Sequence, residues 1–374
     1  VDVTRASDII ARWGGDEFVI LFTDSVTIDL AHKKANAILS IMRQPLELDG
    51  RVINIPTSIG VAFADVAEIK AEQLIQHADI AMYYAKQRGR DNYQLFEAEM
   101  AHKAARSFDY EQEMQKGLNE HQQFSIVYQP KVNAERKLLG LEALMRWNHP
   151  QEGNISPSEF IPLAEESDLI IQLGELAIAQ VCQQLFVWKK LAYPKIVVSV
   201  NISGKHLVSG RLEPFVSKML QQYQLDGEQL EFEITEGVLL TDIERCIEVM
   251  SGLKQLNIQI SVDDFGTGYS SLNYLKRLPI DVLKIDRSFV EECASTVEDG
   301  QICSTIINLA NNLELVTVAE GVETREQLDF LQHHGCYIYQ GFYFYRPMSA
   351  DAITQLLLKQ EHLSIAEMAL DGSV

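Results

Sequence analysis

Six short apolar runs in the second half of the chain each end on a polar residue able to bind a cation or move a proton. Residues 196–200 lead to Asn201, 230–232 to Glu233, and 258–262 to Asp263 and Asp264. Val282 and Leu283 lead to Lys284, residues 316–319 to Glu320, and 337–339 to Gln340. Helix-patterned stretches separate most of these runs, so the strands are expected to be parallel, with their carboxyl ends on one face of a barrel. A barrel interior asks only for apolar side chains. Carboxylates gathered at one end therefore point to chemistry, not packing.

The 374 residues suffice for two domains with substantial cores. A formal net charge of −21 argues against a nucleic-acid polymer or an anionic membrane surface as partner, because nothing would neutralise the phosphates. A small anionic ligand stays open if cations accompany it. Cys182, Cys246, Cys293, Cys303 and Cys336 show no C-x-x-C spacing, as expected of reduced thiols in a cytoplasmic protein. The most apolar long stretch, residues 169–188, is interrupted by Gln172, Glu175, Gln180, Gln183 and Gln184, so a buried amphipathic helix is expected there and no membrane segment. The chain opens on Val1 in mid-pattern, with no signal peptide visible, and is expected to be a fragment of something longer, which leaves a membrane anchor elsewhere open.

Residues 1–96 read as α/β. Strands at 9–13 and 18–22 flank Gly14-Gly15-Asp16-Glu17 as a hairpin, followed by a helix over 27–42 and a strand pair at 46–53 and 57–64. A helix over 71–88 stops at Gly89, and 93–96 is a last short strand. The charged, proline-free stretch 97–121 predicts a connecting helix. The expected division is thus 1–96, a helical linker 97–109, a barrel domain 110–361 and a tail 362–374 of little periodicity. Within the barrel domain, strands lead to Gln129-Pro130 and to Glu142. Helices are expected over 157–166, 172–191, 205–223, 242–256, 290–313, 324–334 and 350–359.

Glu142, Asn201, Glu233, Asp263, Asp264 and Glu320 would surround a single mouth. So many carboxylates need countercharge, and oxygen donors without histidine or cysteine favour Mg²⁺ or Mn²⁺, with Ca²⁺ as an inhibitory mimic. The adjacent Asp263-Asp264 could let one carboxylate bridge two metals. Lys284, within an otherwise apolar run, either snorkels outward or holds its ammonium among the carboxylates, where it could help deprotonate an attacking water.

Residues from about 110 to 360 resemble an EAL domain, the cyclic di-GMP phosphodiesterase. Glu142-Ala143-Leu144 is the naming motif. The likeness extends through Gln129-Pro130, Arg146-Trp147, Asn201-Ile202-Ser203, Glu233-Ile234-Thr235-Glu236, the stretch from Asp263 to Ser271, Leu283-Lys284-Ile285-Asp286, Ala319-Glu320-Gly321-Val322-Glu323 and Gln340-Gly341. This resemblance implies a TIM-like (β/α)8 barrel that hydrolyses cyclic di-GMP to linear pGpG with two metals. By position, Glu142, Asn201, Glu233 and Asp263 would hold one metal, and Asp263, Asp264 and Glu320 would serve the second, partly through water. Lys284 and Glu320 would activate the water; Gln129, Leu144, Arg146, Glu323 and Gln340 would meet the substrate. Gly266, Gly268 and Ser270 resemble the family's regulatory loop, tied by Glu236, near which such domains commonly form homodimers. The alternative is a non-catalytic receptor for cyclic di-GMP, and more distantly another metal-dependent barrel enzyme such as a lyase.

Residues 1–96 resemble the later part of an α/β GGDEF domain, the diguanylate cyclase, through Gly14-Gly15-Asp16-Glu17-Phe18 and the pattern running from Ala78 to Asn92. Arg5 and Asp8 fall where that family carries its R-x-x-D inhibitory site; a surface ion pair is the plainer reading. The resemblance places a metal-binding strand and a guanine-binding segment upstream of the motif. No cyclase activity is therefore expected from these residues, and GTP is left as a ligand for a complete domain.

Overall fold

The computed structural model describes all residues except 1, 2, 6, 24–26, 49, 64–68, 90, 121, 122, 192, 194, 195, 240, 241, 267–274, 296 and 371–374; the side chains of 51, 239, 297, 298 and 361–370 are also outside the description. The chain divides into two compact units, Val1–Tyr110 and Glu111–Val374.

In the first unit, β1 (Ile9–Gly14) and β2 (Glu17–Leu21) form the expected antiparallel hairpin. Gly15 turns the chain at φ +50°, and the Arg12 guanidinium donates to its carbonyl, closing the turn. Thr27 caps the helix Ile28–Met42 by accepting from the Leu30 amide. Here the structure departs from the expected strand pair. Residues 46–53 form their own hairpin, β3 (Leu46–Leu48) with β4 (Arg51–Ile53), turned at Gly50. The next strand, β5 (Ile59–Val61), pairs in parallel with β6 (Tyr93–Leu95) across the helix Ala71–Gln87. That helix intervenes between β5 and β6, as a parallel crossover requires. The helix Ala98–Glu120 follows.

The second unit is a closed eight-strand barrel. Its members are β7 (Phe124–Val132), β8 (Leu138–His149), β10 (Val197–Asn201), β11 (Leu230–Thr235), β12 (Gln259–Phe265), β13 (Val282–Ile285), β14 (Val316–Ala319) and β15 (Ile338–Tyr339). The short β9 (Gly153–Ile155) folds back on the end of β8. Strands β8 and β10–β15 run parallel, and β10 pairs with β8 to close the ring. β7 is the exception, antiparallel to both β8 and β15. Only residues 133–137 join β7 to β8, and five residues permit a hairpin but not a crossover.

Alternation along the strands sorts the side chains. Val198, Val200, Leu230, Phe232, Ile234, Ile260, Val262, Leu283 and Ile285 are buried in the core shared with the surrounding helices. Ser199, Glu231, Glu233, Ser261, Asp263 and Lys284 take the alternate positions, on the barrel's inner face. The helix Leu169–Lys190 is the one helix among the described residues long and apolar enough to cross a membrane. It buries Leu173, Ile178, Val181, Leu185 and Trp188 within this unit, as a core helix does.

Three helices differ from their expected extents. The stretch 205–223 breaks into Gly204–Val208 and Leu212–Tyr223 around Gly210, whose φ of +75° suits glycine. The stretch 290–313 becomes Arg287–Glu291 and Val297–Asn312. The last helix, Ala350–Leu370, runs through much of the expected tail.

His206 lies in the short helix after β10, fully buried, and neither ring nitrogen has a hydrogen-bond partner among the described residues. The ring fits because Gly174 faces it; a Cβ there would come within 2.5 Å of Nδ1. Burial, with help from the nearby Arg211 charge, lowers its pKa to about 4. The folded state thus refuses a proton that the unfolded chain accepts below about pH 6.5, so stability is lost as pH falls across that window, by roughly 3 kcal/mol in all. Urea unfolding of the wild type and His206→Leu from pH 7 to pH 4.5 should give a shallower decline in the variant. Parallel curves would refute the assignment.

Candidate active site

The inner face of the barrel carries a buried charge network centred on Lys284. Its side chain is fully buried, and Nζ lies 2.6 Å from Glu233 Oε2, 3.1 Å from Asp263 Oδ2 and 2.6 Å from Glu320 Oε1. Each partner comes from a different strand or strand end, brought level by the register. Asn201 stands opposite Glu233, and Thr235 opposite Asp263. Of the two readings open for Lys284, the structure shows the ammonium among the carboxylates.

Glu142 joins from β8. It accepts from Asn201 Nδ2 at 2.8 Å through one oxygen and from Gln340 Nε2 through the other. Gln340 also donates to Gln129 Oε1 at 3.1 Å, and Gln129 stands opposite Glu142 in the β7–β8 register. These four residues thus form one hydrogen-bonded side of the mouth. Asp264 is held differently. The β12–β13 register shifts between Val262 and Phe265, and Asp264 adopts φ +54°, a conformation that aspartate tolerates better than most side chains. Two consecutive carboxylates are thereby kept near the mouth, with the Asp264 amide bonded to Asp263 Oδ1 at 2.9 Å.

Electrostatics separates the carboxylates. Burial alone would raise Glu233, but Lys131 and Lys284 outweigh it and hold it well below the usual carboxylate range. Burial raises Glu142 despite the proximity of Lys284. Burial, reinforced by Asp263, Glu142 and Glu233, pushes Glu320 up to about 8. Asp264 rises to about 6 through burial and the charges of Asp263 and Asp286. Burial opposes the Lys284 charge, yet Glu142, Glu233, Glu320 and Asp263 raise its pKa well above normal.

The donors suit a hard divalent cation. They are oxygen atoms, buried in Glu142, Glu233 and Asp263 and partly exposed at the rim, and the acidic side chains outnumber the two lysines. Among the described residues, however, no three His, Cys, Asp or Glu side chains converge on a common ion-binding point. Glu233, Asp263 and Glu320 converge on the Lys284 ammonium instead.

The other expected residues lie as follows. Leu144 is half-buried on β8 opposite Val127, and Arg146 is half-buried with its guanidinium donating to the Met145 carbonyl at 2.8 Å. Glu323 is exposed and pairs with Arg287 at 3.1 Å, away from the Lys284 network's own bonds. Buried Glu236 accepts from the Gly266 amide at 2.9 Å, so the expected tether to the start of the loop is present; Gly268 and Ser270 lie outside the described residues. In the first unit, Gly14, Gly15, Asp16, Glu17 and Phe18 form an exposed hairpin end. Asp8 accepts from the Arg5 backbone amide at 2.8 Å and approaches Lys34 at 3.5 Å. Two members of the network escaped the sequence reading. Lys131 follows Gln129-Pro130, and Glu231 precedes Glu233 by two; a lysine in a strand and a period-two pair of glutamates were the available signals.

A family model of the EAL domain matches residues 111–347, and one of the diguanylate cyclase GGDEF domain matches residues 1–92. The bifunctional diguanylate cyclase/cyclic di-GMP phosphodiesterase MucR of Pseudomonas aeruginosa is 39% identical over 350 residues, covering 93% of this chain and 51% of the relative. The cyclic di-GMP phosphodiesterase NbdA of the same organism is 36% identical over 356 residues, covering 95% and 45%. The chain therefore spans about half the length of these curated relatives. Among solved structures, the PaMucR phosphodiesterase in complex with c-di-GMP aligns with a TM-score of 0.63 at 40% identity, covering 66% of this chain and 99% of that one. The EAL enzyme Bd1971 in its cAMP- and cyclic-di-GMP-bound form aligns with a TM-score of 0.65 at 28% identity, covering 78% and 77%. The chain belongs to the EAL domain family, and its first unit carries a GGDEF-domain match.

Proposed function

We propose that residues 110–361 form a metal-dependent phosphodiesterase that hydrolyses cyclic di-GMP to linear pGpG, joined by the helical linker 97–109 to a regulatory GGDEF unit. The observation that carries this reading is the gathering of buried Glu142, Glu233 and Asp263 with half-buried Glu320 around one end of the barrel. Relatives named as cyclic di-GMP phosphodiesterases and a similar structure in complex with c-di-GMP support it.

Glu142, Asn201, Glu233 and Asp263 would hold one Mg²⁺ or Mn²⁺, and Asp263, Asp264 and Glu320 a second. Bound there, the two cations supply charge for the phosphodiester oxygens and lower the pKa of an attacking water. Glu320, within reach of the Lys284 ammonium at the barrel mouth, would take the proton from an attacking water. Lys284, held on Glu233, Asp263 and Glu320, keeps those groups from swinging apart and offsets part of their repulsion. Gln340, which also donates to Gln129, fixes Glu142 from the side, and both amides would line the place where the dinucleotide would lie. Arg146 lies close enough to feel the Glu142 charge and is placed to meet a phosphate. The buried, free cysteines accord with a cytoplasmic setting, and we take a homodimer as the assembly, with GTP as a ligand of a complete GGDEF domain.

Chromatography of cyclic di-GMP incubated with the protein and Mg²⁺ should show pGpG, abolished by a chelator and reduced at least a hundredfold in Glu142→Ala. Tight binding with no pGpG would make the unit a receptor; turnover surviving in Glu142→Ala would remove that residue from the site. Lys284→Met leaves Asp263 and Glu320 without their ammonium and Glu233 with Lys131 alone, and should lower the unfolding free energy of metal-stripped protein by about 3–5 kcal/mol. A loss under about 1 kcal/mol by urea denaturation would mean the network does not depend on it.

A further inference from the structure

Two buried charges in the barrel take no part in the chemistry above. Lys131 on β7 is 4% exposed and Glu231 on β11 is 5% exposed. The Lys131 ammonium donates to Glu231 Oε1 at 2.9 Å and to Glu233 Oε1 at 2.8 Å. Glu231 precedes Glu233 by two residues, so it lies on the same inner face one step deeper. The lysine stem passes beside Gly140, its register partner on β8, whose missing Cβ would stand 3.8 Å from Lys131 Cδ.

Lys131 and Lys284 divide Glu233 between them. Lys284 takes Oε2 at 2.6 Å and is shared with Asp263 and Glu320. Lys131 takes Oε1, and its other ion pair among the described residues is with Glu231. Together Lys131 and Glu231 are neutral, so the pair adds no net charge to the mouth. What it adds is geometry, because the terminal torsion of a glutamate is broad and a carboxylate gripped at one oxygen can no longer rotate freely.

We propose that Lys131 is a positioning residue: anchored by Glu231, it holds Glu233 by Oε1 and, opposite Lys284 on Oε2, fixes the rotation of that carboxylate at the cation-binding mouth. This inference rests on the metal-dependent reading above. Partners that orient a metal-binding carboxylate from behind matter for affinity because they remove the cost of ordering it on binding.

The test is Mn²⁺ titration of the metal-stripped full chain, followed by electron paramagnetic resonance without nucleotide, alongside urea unfolding in the absence of metal. Lys131→Met should weaken Mn²⁺ binding at least tenfold and lower the unfolding midpoint, since it strands Glu231 and leaves Glu233 on Lys284 alone. The double variant Lys131→Met/Glu231→Met leaves only Glu233 with a missing partner. It should recover most of the midpoint while its Mn²⁺ affinity stays at least tenfold below wild type. Wild-type affinity within twofold in the double variant would overturn the inference and assign the pair to folding alone. Failure of both variants to fold would do the same. A wild-type chain that binds no Mn²⁺ would overturn the metal-dependent reading itself, and this inference with it.

Discussion

A primary ammonium enclosed in a barrel is unstable unless anions surround it, and Lys284 is surrounded by three. The rest of the second unit serves that requirement. Closing eight strands into a ring brings Glu233, Asp263 and Glu320 from separate parts of the chain to within hydrogen-bonding reach of one nitrogen. The apolar residues at alternate positions bind the outer helices and supply the hydrophobic stabilisation that offsets the burial of charge. The two lysines act as counterions built into the chain, and they leave the carboxylates unequal. The lysines hold Glu233 low, whereas burial pushes Glu142, Asp264 and Glu320 up. Such inequality among neighbouring carboxylates is typical of clusters with a chemical role.

Much of this was legible from the chain alone. Apolar runs ending on Asn201, Glu233, Asp263, Lys284 and Glu320 announce a one-ended site because strand polarity and the two-residue repeat are local properties. Helix starts such as Thr27 and Thr324 could be read for the same reason, each being fixed by a side chain that caps its own first turn.

What escaped depended on contacts distant in sequence. Lys131 and Glu231 are separated by 100 residues, and only ring closure makes them neighbours. The orientation of β7 was implicit in the five residues between Val132 and Leu138, but the expectation of alternating strand and helix obscured it. In the first unit, residues 46–53 carry a hairpin too short to show clear alternation, so its turn at Gly50 was read as part of one strand.

The reversed strand has a consequence for how such a site can change over time. Asn201 ends its strand and Glu320 lies just past one, beside connecting segments where insertions are ordinarily tolerated. Gln129 and Glu142 instead sit in mid-strand, on an antiparallel ribbon bonded along its length on both sides of them. Lengthening a loop acts first on Asn201 and Glu320, while the ribbon holds Gln129 and Glu142 in place and couples to Asn201 only through its bond to Glu142. The barrel thus pairs a rim carried at strand ends with one carried in mid-strand, and a change in loop length bears on the former.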